Sequence, residues 1–167
     1  MRIVRSTLLV FGLAATARAA PLKYSDADVS LTCPDGWVKL ERSRPDRLLF
    51  RDPTGSYQFT VSVMTYKTST DTTKMRAAFD RMVELRVQSE RKALASGEEV
   101  KLSEVTTIDG GCSVEFFGEE KAHARRFHGK LIMVRGRVVT AYLEGLGKPE
   151  SEMSSSARTL LATVEIP

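Results

Sequence analysis

Residues 125–145 read Arg-Arg-Phe-His-Gly-Lys-Leu-Ile-Met-Val-Arg-Gly-Arg-Val-Val-Thr-Ala-Tyr-Leu-Glu-Gly. Two extended runs, 125–134 and 137–145, flank the two-residue break Arg135-Gly136. Apolar runs separated by so short a Gly-containing break predict a β-hairpin. Strands joined this tightly are antiparallel, because a parallel pair needs a crossover of a dozen or more residues. Working back along the chain, Asp109-Gly110-Gly111 predicts a second hairpin between strands at 100–108 and 111–118, and residues 119–124 a charged loop.

Upstream, Tyr57, Phe59, Val61 and Val63 alternate with Gln58, Thr60 and Ser62, the period of a half-buried strand. Leu48–Arg51 is a shorter strand closed by the turn Asp52-Pro53-Thr54-Gly55. Val29, Leu31 and Cys33 alternate with Ser30 and Thr32 and run into Pro34-Asp35-Gly36, another turn, with Trp37 after it as a plug for the end of a core. Residues 20–27 are expected to be a short arm.

Between the two groups of strands the period changes to that of a helix. Met75, Ala78, Phe79, Met82 and Ala93 form one stripe, flanked by Val83 and Leu85, while Arg76, Asp80, Glu84, Arg91 and Lys92 lie opposite. Asp71 is the expected N-cap, and Ser96-Gly97 the expected end. A second helix is predicted after Pro149, with Glu150 and Glu152 at its positive end and a stripe of Met153, Ala157, Leu160, Leu161 and Val164. The fold class is α+β, a single domain with an antiparallel sheet covered by helices.

The amino terminus has a different character. Arg2 and Arg5 precede a short apolar run, Leu8 to Ala17, and Ala17-Arg18-Ala19 has the small residues of a signal-peptidase site. Residues 1–19 are expected to be a signal peptide cleaved after Ala19, leaving residues 20–167 as the exported domain. The run is about 10 residues, too short to span a bilayer. The other reading of these residues is an uncleaved anchor. Losing three arginines and no acid takes the formal charge from +4 to +1, so net charge does not argue for a nucleic-acid partner.

Several residues in this order carry a resemblance. Val29-Ser30-Leu31-Thr32-Cys33-Pro34-Asp35-Gly36-Trp37 is similar to the opening strand and turn of the PsbP-like family (PsbP/DcrB type). Leu49-Phe50-Arg51-Asp52-Pro53 and Tyr57–Val63 are similar to its next two strands. Ile108-Asp109-Gly110-Gly111 resembles its central hairpin, and Gly136-Arg137-Val138-Val139 through Leu143 its last strand. The resemblance spans most of residues 24–164. It implies an α/β/α sandwich and no shared catalytic residues, so it leaves function open.

Candidate sites are few. In an oxidising compartment Cys33 and Cys112 tend to bridge, and closing a loop of about 80 residues would stabilise by roughly 4–4.5 kcal/mol. The alternative is two buried thiols in different parts of the core. His123 and His128 lack the companions of a zinc motif and are expected to be surface histidines. They sit in a positive run, Lys121, His123, Arg125, Arg126, His128 and Lys130, diluted by Glu119 and Glu120. By strand parity Arg126, His128 and Lys130 share a face. That row is the candidate docking patch for an anionic partner, with a solvated strand rim as the plainer reading. No nucleophile-and-base pair, nucleotide loop or cofactor motif accompanies it. The expectation is an exported, non-enzymatic accessory protein of the bacterial envelope, periplasmic or secreted, with no cofactor. Its partner would be an unidentified envelope protein or an anionic surface. The alternative class is a small-molecule or metal-binding carrier, or a hydrolase with a dispersed site.

Overall fold

The computed structural model describes residues 20–25, 28–44, 46–66, 71–92, 94–95, 97–134 and 136–167. The predicted signal peptide, residues 1–19, and Ala93 of the expected helix stripe lie outside them. In chain order the strands before the first helix are β1 (Pro21–Ser25), β2 (Ser30–Asp35), β3 (Val38–Arg44), β4 (Arg47–Arg51) and β5 (Tyr57–Thr65). Helix α1 (Thr72–Arg91) follows, then β6 (Lys101–Leu102), β7 (Thr106–Ile108), β8 (Gly111–Glu120), β9 (Arg125–Val134), β10 (Arg137–Leu146) and α2 (Glu150–Leu161).

The hairpin at 125–145 forms the middle of the sheet. β10 pairs antiparallel with β9 on one side and β5 on the other, and the full order is β3-β4-β5-β10-β9-β8-β6, with β7 also on β8. Gly136 turns the β9–β10 hairpin at φ 80° and Gly110 turns β7–β8 at φ 72°, a region where side chains are disfavoured. Asp52 shapes the β4–β5 turn: its carboxylate accepts from Tyr57 N at 2.8 Å and Thr54 N at 3.1 Å. Burial would raise its pKa, but the hydrogen bonds from Thr54 and Tyr57 outweigh burial and leave it below the usual carboxylate range.

Each sheet face buries its own core. On one, Leu48, Phe50, Phe59, Val61, Ile132, Val139 and Leu143 pack with Met153, Ala157, Leu160 and Leu161 of α2 and with Val29, Leu31, Cys33 and Trp37. On the other, Val114, Phe116, Phe127, Leu131, Met133 and Val138 pack with Phe79 and Val87 of α1. Asp71 caps α1 as expected, accepting from Thr73 N at 2.9 Å and Lys74 N at 3.2 Å.

Some expectations need correction. Residues 21–25 are not an arm; they pair with β2 as a two-stranded sheet, because Leu22 and Tyr24 reach the α2-side core. Val38–Arg44 is an edge strand that was not expected. The expected strand at 100–108 is two short ones, and β8 runs on through Glu119 and Glu120 to a single 3-10 turn, Lys121–His123. Helix α1 stops at Arg91 rather than Gly97, and Leu85 on its flank is 50% exposed. Val164 lies beyond α2 and packs on the core from the tail, which is tied down where Ser30 and Glu165 exchange backbone hydrogen bonds of 2.9 Å.

Candidate docking site

Strand register decides what the positive run does. In the β8–β9 pairing Glu115 stands opposite Lys130, Phe117 opposite His128 and Glu119 opposite Arg126. Arg126, His128 and Lys130 therefore share the α2 face, as parity predicts, and β8 sets two carboxylates against them. Arg126 Nη2 meets Glu119 Oε1 at 2.5 Å, and its Nη1 donates to the Lys148 carbonyl. His128 Nε2 lies 3.0 Å from Glu115 Oε2, with its ring against Phe117 at 5.6 Å. The row borders a cleft of about 350 Å³ between residues 97–101 and the first turn of α2, with Phe117, Arg126 and His128 in its wall. The sequence reading found the basic row and missed its acidic ladder. The signal was the Glu115-Phe117-Glu119 alternation, hidden by assigning Glu119 to a loop.

The remaining members of the run point elsewhere. Arg125 faces α1, where Nε meets Glu120 at 2.7 Å, Nη1 meets Glu144 at 2.5 Å and Nη2 approaches Glu90 of α1 at 3.5 Å. Arg86 of α1 reaches the same Glu90 at 2.6 Å. Lys121 and His123 occupy the turn between the strands, and His123 Nδ1 contacts Glu120. Hydrogen bonds from Arg125 and then His123 hold the Glu120 carboxyl below the usual range. The two histidines thus belong to different glutamates. Among the described residues no three His, Cys, Asp or Glu side chains are grouped to hold a metal.

The structure places the two cysteines apart. Cys33 and Cys112 are both free and buried, Cys33 in the core under α2 and Cys112 in the core under α1. Each points inward, but toward opposite faces of one sheet. Burial pushes the Cys33 thiol up to about 12.

The architecture matches solved structures. The chain superposes on cyanobacterial PsbP (CyanoP) from Synechocystis sp. PCC 6803 with a TM-score of 0.62 and 16% identity, covering 95% of this chain and 99% of that one. The fold is PsbP-like. LpqN, involved in cell envelope biogenesis of Mycobacterium tuberculosis, gives a TM-score of 0.52 at 16% identity over 88% of this chain and 89% of its own. No family model matches the chain, and no curated protein matches it. Identities this low concern the fold alone, a PsbP-like α/β/α sandwich on an antiparallel sheet. No described helix is long and apolar enough to cross a membrane.

Proposed function

We propose that this protein is an exported, non-catalytic accessory protein of the bacterial envelope, acting through contacts with a larger partner. The observation that carries the reading is the Arg126-His128-Lys130 row on the α2 face, of which Arg126 and His128 line the cleft beside α2. It joins ionic groups, a tilted Phe117–His128 ring contact and a recess at one edge of the sheet. The Arg126–Glu119 pair is partly exposed, and ion pairs near the surface are worth only about 0.2–1 kcal/mol, so an acidic partner can exchange for Glu119 at little cost. The PsbP-like fold supports the reading by analogy. The cleft volume also falls in the range of small-ligand sites, which is the observation that favours the carrier alternative.

Two results test the proposal. Sequencing of the exported protein is expected to begin Ala20-Pro21-Leu22; a product retaining Met1 and fractionating with membranes overturns the export reading. Lys130→Glu is the cleaner change for the docking row, because Arg126 also holds the Lys148 carbonyl. Partner capture from envelope extract is expected to disappear in Lys130→Glu, with the melting temperature unchanged. In the unaltered protein capture should weaken steeply above 0.1 M salt, where the Debye length is about 10 Å. Identical capture and salt response in the two proteins would make the row a solvated face.

A further inference from the structure

The cleft beside α2 is lined by flat groups as well as by charged ones. Phe117 and His128 form one corner of it, their rings 5.6 Å apart and tilted at 55°. A third ring entering such a corner meets one ring by its face and the other by its edge, the arrangements that aromatic pairs prefer. Arg126 lines the cleft as well. Its Nη1 and Nη2 donate within the guanidinium plane, to the Lys148 carbonyl and to Glu119. The part of the group left for a ligand is its face, which stacks on aromatic rings. Met153 adds a thioether to the lining, and sulfur packs favourably at a ring edge.

We infer that this cleft seats a tryptophan or tyrosine side chain of the partner. The inference rests on the docking reading and names the anchor that the partner inserts. Size limits the guest to one ring system, because about 350 Å³ is near the lower end of ligand sites. Charge argues for a neutral guest: three cationic and four carboxylate side chains line the cleft, which leaves no positive field to hold an anion inside it. The acceptors on the rim narrow the choice further. Glu98 is taken by the backbone N–H groups of Ala95 and Lys121, and Glu119 by Arg126. Glu99 and Glu150 are exposed and have no hydrogen bond or ion pair among the described residues. They suit a ring with a donor on its edge, an indole N–H or a phenol O–H, which phenylalanine lacks. Tryptophan and tyrosine are also enriched where one side chain carries much of an interface's energy.

The test titrates N-acetyltryptophanamide into ¹³C-methyl-methionine-labelled protein and follows the Met153 methyl signal by NMR. The signal is expected to shift through the ring current and to saturate, with little response to salt because the probe is neutral. N-acetylleucinamide is the control: equal shifts from it, or shifts that fail to saturate, overturn the inference. Phe117→Leu keeps an apolar side chain and removes the ring. It should weaken probe binding about three- to tenfold, the worth of one aromatic pair. Ser154 lines the cleft from α2 and is half-buried, so Ser154→Phe fills the space without altering the Phe117 corner. That variant is expected to lose both probe binding and partner capture at an unchanged melting temperature. If Ser154→Phe captures the partner normally while Lys130→Glu does not, the aromatic anchor falls and the docking row stands. If neither change affects capture, the docking reading falls, and with it the assignment of the cleft to a partner's side chain.

Discussion

Arg125→Ala is expected to destabilise the protein by about 2–4 kcal/mol at pH 7, somewhat below the 3–5 kcal/mol typical of breaking a fully buried ion pair. The reduction reflects an Arg125 side chain that remains 17% exposed. The cost arises because one guanidinium answers Glu120, Glu144 and Glu90 together, and removing it leaves three carboxylates crowded in a half-buried space. The pH dependence has a definite sign. Glu120 has a depressed folded pKa, with the Arg125 hydrogen bond as first cause. A carboxylate of this kind contributes its stability above its unfolded pKa, near 4.3, and loses it as pH falls through the folded value. The gap between the two proteins in urea denaturation should therefore be fully open at pH 7 and close below about pH 4. Arg125 also lies over the Phe127 ring at 5.1 Å. A gap unchanged between pH 7 and pH 3 would trace the cost to that lost packing and not to charge.

Phe79→Ala is expected to cost about 3–5 kcal/mol, the usual range for truncating a fully enclosed aromatic. Phe79 has no exposed surface and anchors α1 on Val114, Phe116 and their neighbours. Leu85→Ala on the same helix is the control: Leu85 is 50% exposed, so its truncation should stay within about 0.5 kcal/mol. Calorimetry on the two variants separates the anchor from general helix propensity. A Phe79→Ala loss under about 1 kcal/mol would mean that α1 is held by other contacts.

These elements differ in how plainly the sequence announces them. β5, β9 and β10 are legible because long alternation and a turn glycine agree. In β10 Val138 and Val139 are both buried, since helices cover the strand on both sides. β1 and β3 escape notice for lack of length: β1 has two inward residues, and the alternation of Val38 and Leu40 stops at Arg42-Ser43-Arg44. The docking row was legible as parity within β9, while its acidic counterparts depend on cross-strand register, which sequence spacing does not encode. Arg125 shows the same limit at one position: a single step from Arg126 carries it to the other face and into a different set of charges.

The two cysteines lie in cores on opposite faces of the sheet, the alternative to a bridge that their sequence left open. The sheet standing between them makes the native state indifferent to the redox poise around it. Folding needs no oxidant and no isomerase to choose partners, and a thiol with a pKa of about 12, as Cys33 has, offers almost no thiolate for exchange. The fold can form in reducing and in oxidising surroundings alike, so refolding with and without a thiol reductant is expected to give the same protein.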